Sequence, residues 1–489
     1  MHGRRLGGHC RAGTMPLHRL PEGSGTCLDG SPAGYYIWKA EQDNRTPKFR
    51  TQWVIFLEGG GWCLSPEDCG LRATTNAGSS RKWVPFASKG GILSRCCSMS
   101  SMELCNMNKV FVPYCDGASF GGQREISLGR AANVSVATGS TPHALRSDGR
   151  AILAGVVEHL IAQHSLGQAT DVLLSGCSAG GLAAVLYAAE VRAALRKAGA
   201  PLQRFKVAVF SGLFFAAPRR GSMRTTGPQL SAFERQMRQV VEMSNMSLPT
   251  GCRAATPRGH AWRCLLGTAP LDALPADLPA LVIQSTFDLF HTNCIMAADE
   301  RKSYRSRYFQ AGCLSGDWRR CLQWMTPARS AVQHCSSEQL QQMDKFHQQV
   351  TSDLTSSSAL QRRGNSAFLQ NCNDHCADAN SLQGTTIGGV TMIDAFTAWW
   401  KASADALPQT HLGCRLNFTH ADGLGPPRCA KALAACAPPV RYKDPRKSIM
   451  NSASKLEKAM GHFSEVLCDS RTHSASEGEP SCTERTDTQ

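Results

Sequence analysis

Three features that would suggest a membrane, nucleic-acid or zinc-binding protein are missing from this 489-residue sequence. No run of about 18 apolar residues occurs, so the chain predicts no membrane-spanning helix. The formal net charge of +15 comes from scattered Lys and Arg residues, and no nucleic-acid-binding motif accompanies them, so we expect no nucleic-acid partner. The cysteines do not fall into paired Cys-x-x-Cys units, which argues against a structural zinc site.

A recognisable signal peptide is also missing. Residues 1–20, MHGRRLGGHCRAGTMPLHRL, contain basic residues but lack the apolar run of about 7–15 residues that a secretory signal requires. Two alternatives stay open for this start: an incomplete or misassigned N-terminus, or an unconventional route out of the cell.

Cysteine, by contrast, is abundant, with 22 residues in the chain. Disulfides formed in an oxidising compartment explain this number, since cytosolic proteins rarely carry them. Four Asn-x-Ser/Thr sequons agree with that compartment and are candidate glycosylation sites: Asn44, Asn133, Asn245 and Asn417. Together these features predict a secreted protein, located outside the cell or in the cell wall.

Short apolar runs alternate with helical patterns along most of the chain. Candidate strands rich in β-branched and aromatic residues lie at 53–59, 109–115, 171–176, 205–212 and 280–286. Candidate helices lie at 147–164, 179–199, 336–354 and 391–402. The alternation predicts one α/β domain over 27–440, with a mostly parallel sheet and helices on both faces. We expect a flexible lead at 1–26 and a polar, largely disordered tail at 441–489.

The pattern Gly-x-Ser-x-Gly, typical of serine hydrolase nucleophiles, occurs twice. One copy centres on Ser178 in SGCSAGGLAA (175–184), the other on Ser119 in CDGASFGG (115–122). A nucleophile elbow needs a strand, a sharp turn and a helix whose unpaired N–H groups point at the reacting oxygen. A predicted strand and a predicted helix flank Ser178, whereas no helical pattern follows Ser119. Ser178 is therefore the predicted nucleophile.

A glycine-rich loop, in FLEGGGWC (56–63), follows the candidate strand that begins at residue 53. Three consecutive glycines free the backbone to aim N–H groups into a site, as the HGGG-type loop of esterases does in an oxyanion hole. Here the loop begins with Glu58 instead of His. Its position upstream of Ser178 agrees with the order of these two parts in α/β-hydrolases.

Five segments resemble the signature blocks of the pectin acetylesterase family, which also contains the Notum lipid esterases. They follow the family order, cover roughly residues 27–436 and read CLDGSPAGYY (27–36), WVIFLEGGGWC (53–63), VPYCDGASFGG (112–122), SGCSAGGLAA (175–184) and FLQNCNDHC (368–376). Any one block alone is weak, but five in order form a specific match. The resemblance implies an α/β-hydrolase-like fold and serine esterase chemistry that needs neither a metal nor an organic cofactor.

The resemblance also points to the partners of Ser178. An α/β-hydrolase runs Ser, acid, His along the chain, and Asp288 at the end of ALVIQSTFD (280–288) corresponds to the family's acid. His375 matches the family block in which the catalytic His precedes a cysteine. On sequence alone several rivals remain, namely Asp272 and Asp277 as poorer acids and His291, His334 and His347 as other histidines.

The oxyanion hole implied by the resemblance consists of the backbone N–H groups of Gly61, Trp62 and Ala179. Two disulfides are predicted around the same blocks. Cys63 and Cys69 are close enough in the chain to staple the oxyanion loop, and Cys27 and Cys115 lie where two family blocks meet. Cys177, inside the elbow, is expected to be an unpaired thiol.

The leading functional interpretation is an O-acetylesterase acting on an acidic polysaccharide such as pectin, because Cys63 follows Trp62 as in the acetyl-cleaving branch. The net charge of +15 suits such a polyanion. The segments FSGLFF (210–215) and LFHTN (289–293) depart from the family pattern, so two alternatives stay open: a Notum-like lipid-protein carboxylesterase, and a catalytically silent carbohydrate-binding protein. We expect a monomer.

Overall fold

The computed structural model describes residues 14–40, 47–95, 102–128, 144–217, 230–296, 318, 321, 325–326, 329–330, 335–372, 375–376 and 386–413. The strands in these residues are β1 (Met15–Arg19), β2 (Gly34–Trp38), β3 (Gln52–Leu57), β4 (Phe86–Ala87), β5 (Asn108–Val112), β6 (Arg124–Ser127), β7 (Ala144–Ser147), β8 (Asp171–Cys177), β9 (Arg204–Phe210), β10 (Ala280–Ser285), β11 (Met325–Thr326), β12 (Arg329–Ser330), β13 (Ser366–Gln370), β14 (Thr386–Ile387), β15 (Val390–Thr391) and β16 (Gln409–Leu412). The helices are α1 (Pro66–Ala73), α2 (Met102–Cys105), α3 (Gly149–His164), α4 (Ala179–Lys197), α5 (Ala232–Ser244), α6 (Thr250–Ala255), α7 (Ala269–Asp272), α8 (Ser337–Thr355) and α9 (Met392–Lys401).

A ten-stranded sheet organises the domain, in the order β16-β13-β10-β9-β8-β3-β5-β2-β1-β4. The strands from β16 to β5 in that order run parallel, and β2, β1 and β4 continue the sheet antiparallel. Because the carboxyl ends of parallel strands share one edge, the segments after β3, β8, β10 and β13 meet there. The candidate site lies at this edge.

Both faces of the sheet are buried, which explains the nearly continuous apolar runs of its central strands. On β3, Trp53 and Ile55 face one apolar core, while Val54 and Phe56 face the other. Residues of α3, α4 and α8 pack into the first core, and residues of α9 pack into the second. The α/β class with a mostly parallel sheet is therefore confirmed.

The predicted elements correspond to structural ones, with one exception at the N-terminus. The five predicted strands are β3, β5, β8, β9 and β10, and the four predicted helices are α3, α4, α8 and α9. The segment predicted as a flexible lead over 1–26 contains a strand in its described part, since β1 pairs with both β2 and β4 and Met15 is buried. The segment 441–489 lies outside the described residues.

Disulfides cross-link the domain over both short and long separations in the chain. Two bonds join the predicted pairs, Cys63 to Cys69 and Cys27 to Cys115. The prediction that Cys177 is unpaired is wrong, since it bonds to Cys376 with a Cα–Cα distance of 5.8 Å. The partners are 199 residues apart in the chain, so only the fold brings them together. Further bonds that we did not predict link Cys252 to Cys264 and Cys321 to Cys335.

One predicted glycosylation site can be placed. Asn245 is exposed and ends α5 in a left-handed conformation with φ 46°. The other three sequons, at Asn44, Asn133 and Asn417, lie outside the described residues.

Candidate active site

Ser178 sits in a sharp turn between β8 and α4. Its φ of 57° lies in the left-handed region, which costs energy for a residue other than glycine. The flanking glycines are required by close backbone contacts: a Cβ on Gly176 would collide with the backbone of Gly180, and one on Gly180 would collide with the carbonyl oxygens of Leu57 and Glu58. The strained turn is thus packed tightly against the loop that follows β3.

A hydrogen-bonded relay joins Ser178 to the other two predicted residues. The Oγ atom of Ser178 is 2.8 Å from Nε2 of His375. On the other side of the ring, Nδ1 of His375 is 2.9 Å from Oδ2 and 3.0 Å from Oδ1 of Asp288. This arrangement fits Nδ1–H donating to the carboxylate and Nε2 accepting the hydroxyl proton. The structure therefore brings Ser178, Asp288 and His375 together.

The carboxylate of Asp288 is fully buried just beyond the end of β10. Burial acts to raise its pKa, but the imidazoles of His375 and His291 and the surrounding hydrogen bonds hold the pKa below its ordinary value. Among those bonds, the backbone N–H groups of Phe290 and His291 donate to Oδ1 at 2.8 and 3.1 Å. Asp288 is consequently ionised at neutral pH and can orient an imidazole and stabilise its charged form.

The three N–H groups predicted to form the oxyanion hole belong to two segments that meet near Ser178. Gly61 and Trp62 belong to the loop after β3, and Ala179 is the first residue of α4. Within the described part of the chain, none of the three N–H groups makes a hydrogen bond. The loop passes directly beside the nucleophile, because a Cβ on Gly59 would lie 2.7 Å from Cβ of Ser178. The oxyanion hole formed by these groups stays a prediction.

The second Gly-x-Ser-x-Gly serine has a different place. Ser119 is fully buried, and its Oγ accepts a hydrogen bond of 2.8 Å from the indole N–H of Trp62. It follows no strand-to-helix elbow, since its segment leads into β6. Ser119 thus contacts the loop after β3 through the Trp62 side chain and lies outside the relay.

The side chains of the rival acids and histidines in the described residues have hydrogen-bond partners outside the relay. Asp277 pairs with Arg192 at 2.9 Å, and Asp272 accepts a hydrogen bond from Thr268. The ring of His291 is buried and its Nε2 lies 3.0 Å from the Leu213 carbonyl, while Nδ1 of His347 lies 3.3 Å from the Thr286 carbonyl. His334 lies outside the described residues.

Aromatic side chains crowd the space beside the relay. Phe290 stacks on the ring of His375 with centroids 5.5 Å apart, and it lies 6.0 Å from Trp62. Phe214 packs edge-on against both Trp62 and Phe290, at 4.8 and 5.6 Å. Phe233 completes the group, which we call the aromatic wall: Trp62, Phe214, Phe233 and Phe290. Two of its members, Phe214 and Phe290, lie in the segments 210–215 and 289–293 that depart from the family pattern.

The described residues contain no cluster of three or more His, Cys, Asp or Glu side chains able to hold a metal ion. Across the same parts of the chain, no helix has the length and apolar character to cross a bilayer.

Comparisons with known proteins agree with this geometry. A sequence model described as pectinacetylesterase matches residues 12–416. The chain belongs to the pectinacetylesterase family. Pectin acetylesterase 11 of Arabidopsis thaliana is 25% identical over 379 residues, which are 76% of this chain and 83% of the plant protein.

Animal members of the pectinacetylesterase family are similar as well. Palmitoleoyl-protein carboxylesterase notum1' of Xenopus laevis is 31% identical over 276 residues, which are 56% of this chain. The match spans about half of that relative, 52% of its length. The solved structure of the Wnt deacylase Notum from Drosophila aligns with a TM-score of 0.59 over 82% of this chain and 97% of the other, at 22% identity. This last match supports the α/β-hydrolase-like fold.

Proposed function

We propose that this protein is a secreted serine carboxylesterase that removes O-acetyl groups from an acidic polysaccharide such as pectin. The observation that carries the proposal is the relay from Ser178 through His375 to Asp288, at 2.8 and 2.9 Å, beside three backbone N–H groups without acceptors. Acyl transfer needs both parts: a nucleophile with its base, and donors for the oxyanion.

The reaction proceeds in two steps. In the first, Oγ of Ser178 attacks the ester carbonyl while Nε2 of His375 takes the hydroxyl proton, and Asp288 stabilises the imidazolium. The protonated imidazole then donates to the leaving sugar hydroxyl, which leaves an acetylated Ser178. In the second step Nε2 of His375 takes a proton from water as the water oxygen attacks the acyl carbon. The imidazolium then returns that proton to Oγ of Ser178 as the bond from the acyl carbon to Oγ breaks and acetic acid leaves.

The oxyanion formed in each step accepts hydrogen bonds from Gly61, Trp62 and Ala179. Removal of one such donor costs about 3–4 kcal/mol of transition-state stabilisation in well-studied cases. The donors here are backbone groups in a packed turn, so they need little reorganisation when charge develops. The N-terminus of α4 adds its positive dipole end at the same place.

A short acyl group is supported by the aromatic wall. The four rings of Trp62, Phe214, Phe233 and Phe290 pack against one another beside His375, and we propose that they limit the length of the acyl group. The similarity to a plant pectin acetylesterase over 83% of that protein's length supports the same substrate class. The net charge of +15 suits a polymer of uronic acids.

A second candidate is lipid-protein carboxylesterase activity, favoured by the 31% identity to the Xenopus relative named for palmitoleoyl-protein hydrolysis. Its substrate requires room for a chain of many methylenes. The packing of Phe290 onto His375 and Trp62 opposes that requirement.

Hydrolysis of nitrophenyl esters from acetyl to palmitoyl tests the acyl group. We expect kcat/KM to fall steeply beyond butyryl; a preference for palmitoyl would move the chain to the second candidate. Acetate release from acetylated pectin and from acetylated xylan, at low and high ionic strength, tests the polymer. Salt should slow pectin turnover more than that of a neutral ester, because screening removes only the electrostatic attraction. Equal salt effects on both polymers would contradict a polyanionic substrate.

A further inference from the structure

The oxyanion loop is held through its carbonyl oxygens. The carbonyl of Gly60 accepts a hydrogen bond of 2.7 Å from Nη1 of Arg72, and the carbonyl of Trp62 accepts one of 3.3 Å from Nη2 of the same guanidinium. The carbonyl between them, that of Gly61, accepts a hydrogen bond of 2.8 Å from the hydroxyl of Tyr114. Three consecutive carbonyls therefore have buried side-chain donors.

Because the peptides are trans, the directions of these carbonyls determine the directions of the N–H groups that follow them. In a trans peptide the C=O of one residue and the N–H of the next point in opposite directions, and the described residues contain no cis peptide bond. Fixing the Gly60 carbonyl on Arg72 directs the N–H of Gly61 away from Arg72. Fixing the Gly61 carbonyl on Tyr114 likewise directs the N–H of Trp62 away from Tyr114. Both N–H groups are free of acceptors among the described residues, as an N–H group that awaits a substrate oxygen must be.

Both donors are themselves fixed. Arg72 lies on α1, whose Cys69 bonds to Cys63 at the end of the loop, and its side chain is buried. The hydroxyl of Tyr114 is saturated, because it donates to Gly61 and accepts 2.8 Å from the N–H of Ser119. A glycine-rich loop has high conformational freedom of its own, so this anchoring removes alternatives in which a peptide flips.

We propose that Arg72 and Tyr114 are positioning residues that set the two peptide planes of the oxyanion loop, so that the N–H groups of Gly61 and Trp62 face the reacting carbonyl before substrate binds. Neither side chain touches the substrate. The guanidinium contributes in a second way: its positive charge on the Gly60 carbonyl polarises that peptide and makes the Gly61 N–H a stronger donor. The inference rests on the proposed esterase function.

Tyr114→Phe is the sharpest test, since it keeps the buried ring and removes only the hydroxyl. For nitrophenyl acetate we expect kcat to fall about 10- to 100-fold with KM within about twofold, because a misplaced donor weakens transition-state binding selectively. A trifluoromethyl ketone, which forms a tetrahedral adduct, should lose affinity by the same factor. Arg72→Lys keeps the charge but replaces the planar guanidinium, whose Nη1 and Nη2 reach the two carbonyls, by a single nitrogen on a shorter side chain, so we expect a similar loss.

Tyr35→Phe is the matched control. Tyr35 is an equally buried tyrosine whose hydroxyl bonds to His159, away from the loop, so this variant should keep kcat within about twofold. Unchanged kcat in Tyr114→Phe, an equal loss in Tyr35→Phe, or a loss confined to KM would overturn the proposal.

A crystal structure of Tyr114→Phe separates this inference from the function. We expect the 61–62 peptide to turn or to occupy two orientations. A peptide that stays in place refutes the positioning role whether or not the wild type hydrolyses esters. Conversely, a wild-type protein whose Ser178 does not react with a fluorophosphonate refutes the esterase function, while the crystal structure still decides the role of Tyr114.

Discussion

The disulfide between Cys177 and Cys376 gives a prediction that links covalent structure to activity. Cys177 precedes Ser178 and Cys376 follows His375, so one covalent bond joins the neighbours of the nucleophile and its base. The N–H of Cys376 also donates to Oγ of Ser211 at 3.3 Å, just beyond β9. The bond thus fixes the segment carrying His375 to the edge of the sheet.

The size of the effect on stability follows from the loop that the bond closes. A separation of 199 residues corresponds to about 5 kcal/mol in the chain-entropy model. The bond between Cys252 and Cys264, 12 residues apart, corresponds to about 3 kcal/mol. Removing the first bond should therefore lower the free energy of unfolding only moderately more than removing the second. The loss of activity should differ strongly, because only the first bond holds His375.

The experiment compares two double variants, each lacking one disulfide. The first combines Cys177→Ser and Cys376→Ser, and the second combines Cys252→Ser and Cys264→Ser. Urea unfolding gives the stability of each, and nitrophenyl acetate hydrolysis is measured where both remain folded. We expect kcat/KM to fall about 10- to 100-fold in the first, since a displacement of about 1 Å at a reacting group can cost that much. The second should stay within about twofold. Full activity in a folded first variant would show that the bond between Cys177 and Cys376 does not position His375.

Two further predictions concern other parts of the structure. Phe290→Ala should open the aromatic wall and raise the ratio of octanoyl to acetyl ester kcat/KM at least about tenfold, as one methylene in such a pocket changes binding by about 1–3 kcal/mol; an unchanged ratio would place the acyl site elsewhere. Lys109 is fully buried on β5, donates to the carbonyls of Ile92 and Leu104, and has its pKa lowered to about 7 by burial and by the charge of Arg95. Between pH 7 and its ordinary pKa the unfolded chain binds the extra proton, so stability should rise with pH in that window, and urea unfolding of Lys109→Met should lack the rise.

The elements that the sequence predicts are those whose local hydrophobic pattern matches their burial in the fold. Strands β3, β5, β8, β9 and β10 are buried on both faces, so each reads as a compact apolar run. Ser178 was identified because the elbow is a local pattern of strand, turn and helix. Asp288 and His375 came from the family resemblance, since nothing near either residue in the chain indicates that β10 and β13 are neighbours.

What the sequence did not predict depends on contacts between distant residues. β1 has a proline and two basic residues, and it is a strand because β2 and β4 supply its hydrogen bonds. Cys177 and Cys376 meet only through the packing of the sheet. Arg72 looks like an ordinary basic residue near the end of a short helix, and its role appears only when the loop after β3 folds against it.

Covalent labelling of the wild-type protein with a fluorophosphonate, followed by peptide mapping, identifies the serine that acts as the nucleophile. The relay and the N–H groups beside it predict a single adduct on the peptide carrying Ser178, with complete loss of nitrophenyl acetate hydrolysis. Ser178→Ala should remove both the label and the activity, while a folded Ser119→Ala should keep the label. An adduct on Ser119, or an active protein that takes up no label at Ser178, would contradict the account.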